Sequence, residues 1–559
     1  MKRFLSVLLT VAMLLSLVSV SAVAEEKKLL TIDVYDDAAN LNGMQTGWFA
    51  KLIKDKFNIE LNIIASQVIG NTVYATRSEA GNLGDIILVD KAKFPEIVEA
   101  GLARDISDKL PECENIMKFK TQIDVYNKGL TGKDGVYYGI PTEMTDTAPD
   151  ALTDDVIYSS PMLRWDLYKQ IGAPEIKDLD GLLDALAKIH EIHPTNDDGD
   201  PAYPFSLWPD WDGNDNMIGI ANVVQLTTWY GQKLKGSAML MPDGTFSPLY
   251  DRANAYYKIT KFLNKANQMG LVDPDSGTQN WDTAVNKMST GRVDVMWYSW
   301  QVGFWNSVDR LNAGTAFRFI PVEDQLYYAD ADRYYGSDRM FGIGSGVDDE
   351  KYERIMEFLD WYASPEGATF EHNGIEGLNY IVGEDGKFVP YKDNALMDNL
   401  PVPEEYGGGG YNDGNNAINQ WIVSSICVNP NTGERFAQKY WQSYKDMTMT
   451  EMKKEWSEKF GAEDDVDWMK KNGKLLASPS VDFTPVADDN TFIALRADVN
   501  ATLCEYTWNL IMTCATDEEF EAMWDEMVTQ LDGFGYQDLY AHDCEVWQPE
   551  VDAKKAAAI

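Results

Sequence analysis

Residues 29–64 read LLTIDVYDDAANLNGMQTGWFAKLIKDKFNIELNII. Leu29 to Tyr35 is a run of aliphatic and β-branched residues and predicts a strand. Trp48, Phe49, Leu52, Ile53 and Phe57 then recur at helical spacing over 46–57, and Ile59 to Ile64 makes a second strand. Strand, helix and strand in so short a span form a β-α-β unit, whose crossover sets the two strands parallel. A further helix is expected over about 72–81. Ile86-Ile87-Leu88-Val89 is an uninterrupted apolar run, the pattern of a strand covered on both faces. Lys91 to Ala100 predicts a short helix closed by Gly101, because glycine takes the left-handed cap cheaply.

The same alternation continues along the chain. Helices are expected at 251–269, ending at Gly270, and at 281–289, stopped by Gly291, with a strand from Val293 to Tyr298. Asp348 and Asp349 open a helix with Tyr352, Ile355, Met356 and Leu359 on one stripe. Thr516 and Glu519 make a capping box ahead of Phe520, Met523, Trp524, Met527 and Leu531. Strands alternating with helices place the chain in the α/β class. Its 559 residues exceed what one core can organise, so two or three cores are expected. Loops cluster at 144–160, 194–216, 273–280, 384–416 and 476–490. Gly407 to Gly410 reads as a plain flexible loop with no phosphate-binding pattern around it.

The net charge is −41, which speaks against nucleic acid and anionic lipid as partners. It also disfavours a polyanionic ligand unless a local basic cluster or a bound cation offsets it. The chain holds 17 Trp, 28 Tyr and 21 Phe, enough to fill cores and also to line a binding cleft. Lys2 and Arg3, the apolar stretch Phe4 to Val20 and the small residues Ala22-Val23-Ala24 make residues 1–24 an expected signal peptide, hence an exported protein. No cysteine follows the apolar stretch, so lipid attachment is not expected there, and no later stretch is long and apolar enough to span a bilayer. Cys113, Cys427, Cys504, Cys514 and Cys544 show no CxxC spacing. Cys504 and Cys514 on one helix would lie roughly 15 Å apart, too far to bridge.

Five segments, in order, carry a resemblance. They are Gly84-Asp85-Ile86-Ile87-Leu88-Val89-Asp90 with Phe94-Pro95-Glu96-Ile97 and Gly101-Leu102; Gly135-Val136-Tyr137-Tyr138-Gly139-Ile140-Pro141; Leu163-Arg164-Trp165-Asp166-Leu167-Tyr168-Lys169-Gln170-Ile171-Gly172-Ala173-Pro174; Lys287-Met288-Ser289-Thr290-Gly291-Arg292-Val293; and Phe358-Leu359-Asp360-Trp361-Tyr362-Ala363-Ser364-Pro365-Glu366-Gly367 with Gly374-Ile375-Glu376-Gly377. Together they resemble the extracellular solute-binding proteins of ABC sugar importers, with Gly84 standing where proline is usual. The resemblance implies a two-lobed, periplasmic-binding-protein-like fold of type II. It implies a ligand cleft between lobes that close on a hinge, an oligosaccharide or other small solute as ligand, and an ABC permease as partner. It implies no catalytic residues, and a monomer is expected. The expected division puts 25–145 and about 300–375 in the first lobe, and 146–299 and about 376–559 in the second.

Candidate ligand contacts follow from residue type and place. Trp208 and Trp211 share a loop with carboxylates and amides, and loops carry ligand contacts. Trp297, Trp300 and Trp305 end or follow the strand at 293–298, and ligands of open α/β sheets collect at strand carboxyl ends. Indole faces stack on the C–H faces of a pyranose, while carboxylates, amides and guanidinium groups serve its hydroxyls. Arg339 precedes a strand near an expected crossover, either gripping a ligand or closing an ion pair. Glu143 follows the Gly-Ile-Pro element near the expected hinge. Each aromatic candidate has core packing as its alternative.

Asn196, Asp198 and Asp200 have the alternate spacing of a calcium loop, but Leu207 stands where a bidentate Glu belongs, so a solvated turn is the better reading. His190 and His193 are not in HExxH order and complement a helix end. The rival functions are a secreted glycoside hydrolase, which needs two positioned carboxylates that 89 acidic residues offer by chance, and a binding protein for peptides or other solutes. Gly342-Ile343-Gly344-Ser345-Gly346 has its Ser one place late for a nucleophile elbow.

Overall fold

The computed structural model describes residues 28–70, 72–149, 151–152, 157, 159–213, 218–391, 400–414, 418, 420–483 and 485–557. The expected signal peptide therefore lies outside the described residues. The β-α-β unit forms as read, with β1 (Leu30–Asp36), α1 (Gly47–Phe57) and β2 (Ile59–Ala65). β1 and β2 pair in parallel from Leu30 opposite Ile59 to Asp36 opposite Ala65. α1 stops at Asn58, whose φ of 53° is left-handed and whose N–H donates back to Lys54 O. The helix α2 (Thr72–Glu79) precedes β3 (Ile86–Asp90), which lies parallel to β1 on its other side, and α3 (Phe94–Glu99) follows. Gly84 enters β3 against its neighbours. A Cβ there would stand 3.0 Å from Asp33 O and from Tyr35 N, and one on Gly344 would meet the carbonyl of Gly84 at 2.0 Å. The two glycines thus let backbones touch where β3 begins.

This first sheet is completed by β4 (Gly139–Pro141) and by a strand from far along the chain, giving six strands when the two-residue strand Gly43–Met44 at the edge is included. The chain then builds a second sheet, β5 (Ser159–Arg164), and two helices, α4 (Leu179–Ile192) and α5 (Ala255–Gln268). The helix α6 (Trp281–Ser289) leads to β6 (Val295–Tyr298), followed by β7 (Phe317–Phe319). β6 and β7 flank β5, and both run antiparallel to it. The strand before Trp300 is therefore not part of a parallel sheet, so the strand-end rule behind that candidate does not apply to it. After β8 (Tyr327–Asp330) the chain returns as β9 (Arg339–Ile343), inserted antiparallel between β3 and β4, and continues into α7 (Asp349–Tyr362). Near the end, β10 (Leu475–Ser478) pairs in parallel with β8, and α8 (Asn490–Thr513), α9 (Asp517–Phe534) and α10 (Tyr536–Ala557) pack on the second sheet's side. Thr516 caps α9 by accepting from Glu519 N, and the Glu519 carboxylate reaches back to Ala515 N–H.

Two large cores result. One spans residues between Leu30 and Met144 and between Phe341 and Phe436; the other spans residues between Ile157 and Ala329 and between Met452 and Leu539. The chain passes between them three times, within 145–156, 330–340 and 437–451. The expected division had 300–375 with the first lobe and 376–559 with the second. The structure instead seats Trp305, Phe317, Phe319 and Tyr327 in the second core, because β7 pairs with β5. It seats Ile375, Leu378, Ile422 and Phe436 in the first, where Tyr362 donates its hydroxyl to Gln420 O. The five cysteines are free thiols, and no described helix is long and apolar enough to cross a membrane.

Candidate functional site

Past Tyr298 the chain turns into a single 3-10 turn, Gln301–Phe304. Gln301 is buried, and its side-chain oxygen accepts from the N–H groups of Trp297 and Tyr298, each at 3.0 Å. That clamp fixes the turn while Trp300 remains 37% exposed. Tyr298 stacks on Trp300 at 5.3 Å and 22°, and Trp281, Phe304 and Trp211 surround it at 5.6, 6.0 and 6.2 Å. Trp211 and Trp281 are half-buried and 4.6 Å apart. Beneath them Trp208 and Trp297 are fully buried and stack at 5.3 Å and 8°. The cluster is graded: a closed floor of two indoles carries a partly open rim of three.

Polar groups hold the wall. Trp297 donates its indole N–H to Gln225 Oε1 at 2.9 Å, and Asp210 accepts from Trp281 N at 2.7 Å. Asp212 accepts from Trp508 Nε1 at 2.7 Å and from Ala221 N at 2.8 Å. Burial pushes the Asp212 carboxyl up to about 6 despite those two bonds. Trp305 sits elsewhere: it is buried, donates to Thr315 O at 2.9 Å, and has the guanidinium groups of Arg310 and Arg164 at 3.7 and 4.7 Å from its ring centroid.

The passages between the cores carry charge. Glu143 has a left-handed φ of 54°, a conformation other residue types than glycine rarely hold. Its carboxylate pairs with Arg333 of the second passage and accepts from Gln420 Nε2 at 2.9 Å. Arg339 opens β9 and donates to Asp36 and Asp37 at the end of β1, both at 2.7 Å. Asp36 is fully buried, so this guanidinium ties β9 to β1 across β3. At the end of β8, Asp330 accepts from Lys233 Nζ at 2.6 Å and faces Lys554 at 3.6 Å. Burial opposes its charge, but the two ammonium groups outweigh it and hold the carboxyl far below the usual range. Its side chain is nonetheless 48% exposed.

Sequence reasoning thus named both floor indoles and two of the three rim indoles, favoured Trp300 over Trp297, did not separate Trp208 from Trp211, and missed Trp281, Tyr298 and Phe304. Trp281 was legible only as the first residue of a helix after Asn280. The pair of Lys233 and Asp330 left no local signal, since 97 residues separate them. In the 194–201 turn, the Asn196 side-chain oxygen accepts from Asp198 N at 3.1 Å and Asp200 N at 2.8 Å, so the turn is closed by its own hydrogen bonds. Among the described residues one His–carboxylate group has the spacing of metal ligands, Asp488, His542 and Asp543. Arg496 already fills it, donating to Asp488 at 2.7 and 3.1 Å and to Asp543 at 2.7 and 2.9 Å.

A two-core chain with three passages and an aromatic wall can be compared with known proteins. The profile described as "Bacterial extracellular solute-binding protein" matches residues 42–369. The chain belongs to that family. This solute-binding protein is 25% identical over 336 residues to the polygalacturonan/rhamnogalacturonan-binding protein YtcQ of Bacillus subtilis, a match covering 56% of this chain and 58% of that one. The chain thus spans little more than half the length of that curated relative. Among solved structures it is similar to the alginate-binding protein AlgQ2 without calcium ion, with a TM-score of 0.59 and 16% identity over 93% of this chain and 98% of the other. The substrate-binding protein FusA of S. pneumoniae in complex with kestose gives 0.58 and 14% over 94% and 100%. These likenesses show the fold: two lobes of the periplasmic-binding-protein kind.

Proposed function

We propose that this solute-binding protein captures an oligosaccharide outside the cell and delivers it to an ABC permease. The observation that carries the reading is the graded indole cluster, whose rim residues Trp300, Trp211 and Trp281 keep partly open faces beside fixed carboxylates. Such a surface stacks on sugar rings and accepts hydrogen bonds from their hydroxyls. The relatives bearing names of glycan binders support the ligand class. The protein acts by binding and closing, without turnover, cofactor or nucleic acid, as a monomer exported by its first 24 residues.

The test is a thermal-shift and calorimetric screen of purified protein against glycans and peptides, read also by tryptophan emission. A ligand at a hundredfold excess over its Kd raises stability by about 2.7 kcal/mol if it binds only the folded state. A glycan is expected to raise the melting temperature and change the emission. Response to peptides alone, or sustained hydrolysis of a glycan lost on a single carboxylate change, overturns the reading.

A further inference from the structure

We infer that Gln225 is a ligand contact: its amide is locked so that both N–H donors face away from the indole floor, toward an oxygen of the bound sugar that accepts without donating. Such an oxygen is a ring or glycosidic oxygen, or the carbonyl of an N-acetyl group. The inference rests on the oligosaccharide-binding reading above and adds a contact to the same site.

Gln225 lies on the short helix Ala221–Thr227 and is half-buried. Asn222 of that helix accepts from Trp208 N at 2.9 Å, so the helix runs along the closed floor. The Gln225 backbone carbonyl accepts from Ser159 Oγ at 3.4 Å, and Ser159 stands opposite Tyr298 in the pairing of β5 with β6. Tyr298 in turn stacks on Trp300. Two routes thus set Gln225 beside the cluster, one through the floor indole Trp297 and one through the strand pair that carries Tyr298.

The orientation of the amide is decided by chemistry. An indole N–H only donates, so the atom that meets Trp297 Nε1 at 2.9 Å must be the Gln225 oxygen. The Asn222 amide nitrogen, at 3.5 Å, gives the same oxygen a second and weaker donor. The Gln225 nitrogen is left with two N–H groups that meet no acceptor among the described residues. Gln301 Nε2 and Trp208 Nε1 are orphaned too, but those two are buried, whereas Gln225 Nε2 is not shut off from solvent. A sugar hydroxyl gains little from such a fixed donor, because it can donate or accept as its neighbour requires. A fixed donor discriminates only for an atom that cannot donate. A ligand that leaves the donor unmet on closure loses its hydration without replacement, which is how a positioned polar group selects.

The experiment titrates the whole protein calorimetrically with cello-, manno- and fructo-oligosaccharides and with N-acetylglucosamine oligomers of equal length. Gln225→Glu keeps an acceptor for the Trp297 indole and removes both donors; Gln225→Met removes the acceptor as well. For the oligomer that the unaltered protein binds, both variants are expected to lose about tenfold or more in affinity. The near-ultraviolet circular dichroism of the indole cluster is expected to survive in Gln225→Glu. A loss confined to the N-acetylated oligomers identifies the acyl carbonyl, and an equal loss on plain ones identifies a ring or glycosidic oxygen. A folded Gln225→Glu that binds as tightly as the unaltered protein overturns the inference, since the amide then only holds Trp297 or meets a hydroxyl that has turned; the glycan-binding reading stands. If Gln225→Glu does not fold, folded Gln225→Met decides in its place, and unchanged affinity there overturns the inference. Binding of no oligosaccharide by the unaltered protein, with a response to peptides, overturns both.

Discussion

Replacing Trp300 with alanine separates platform from core in one experiment. The ring is 37% exposed and flanked by Tyr298, Trp281, Phe304 and Trp211. A fully buried Trp→Ala change costs about 3–5 kcal/mol. With roughly two thirds of the ring covered, Trp300→Ala should cost about 2–3 kcal/mol. Trp297→Ala is the internal reference. It empties a fully buried site stacked on Trp208 and removes the hydrogen bond to Gln225, so about 3–5 kcal/mol is expected. In binding the order should reverse. By analogy with aromatic stacking on bases, loss of the Trp300 face should weaken ligand affinity by about 1–3 kcal/mol, or roughly 5- to 150-fold. Calorimetric titration with the glycan found by screening gives the affinity, and denaturant melts give the stability. Trp300→Phe keeps a ring and should recover part of the binding. If Trp300→Ala binds as well as the unaltered protein, the platform reading fails, whatever its stability.

Arg339→Met strands the fully buried Asp36 carboxylate and its neighbour Asp37, and should destabilise the first lobe by about 3–5 kcal/mol; a loss below 1 kcal/mol in a urea melt would contradict the clamp. Asp212 is an acid favoured by the fold, since its folded value of about 6 lies above the usual one. Its contribution is therefore full below about pH 4 and is lost as pH rises toward about 6. Asp212→Asn should flatten the melting temperature across that window and abolish any tryptophan-emission transition near pH 6; persistence of both in the variant would assign them elsewhere. Thiol titration of unfolded protein should find all five cysteines reactive, with melting unchanged by reductant.

The opening β-α-β unit was legible because local periodicity decides it: every apolar position of 30–65 that alternation or helical spacing marks as inward is buried or half-buried. The helix at 281–289, the Thr516 cap and the buried run of β3 were equally local. Sheet membership was not. β9 enters the first sheet from 200 residues beyond β4, and nothing in Arg339–Ile343 states that its neighbours run the other way. The same blindness moved the lobe boundaries, because β7 and the stretch from Ile375 to Phe436 are assigned by long-range pairing alone.

The site was legible in part for a different reason. Four of the indoles named from sequence, Trp208, Trp211, Trp297 and Trp300, do meet in one cluster. Sequence puts Trp300, past the strand end, ahead of Trp297, which ends the strand, but it offers nothing to part Trp208 from Trp211 in their shared loop. What separates them is depth. An indole buries 150–250 Å² in the core or at a binding face with the same chemistry, so composition cannot tell floor from rim. Depth is set by packing that no single stretch displays: Gln301 pins the turn under Trp297 from four residues away, while Trp281 arrives from another helix to meet both Trp211 and Trp300. The charged pair at the end of β8 follows the same rule. Lys233 and Asp330 look like solvated surface residues in sequence, and become a pair only when β8 ends beside the strand that carries Lys233. Held by the ammonium groups of Lys233 and Lys554, the Asp330 carboxylate resists protonation, because their attraction outweighs the desolvation it suffers there. It thus remains a hydroxyl acceptor through the mildly acidic range as well as at neutrality. Asp212 in the indole wall does not share that resistance, since burial lifts its carboxyl to about 6; glycan affinity should therefore change as pH falls from neutrality toward about 5 in the unaltered protein and stay level in Asp212→Asn, and a level profile in both would mean that the acceptor carboxylates lie elsewhere.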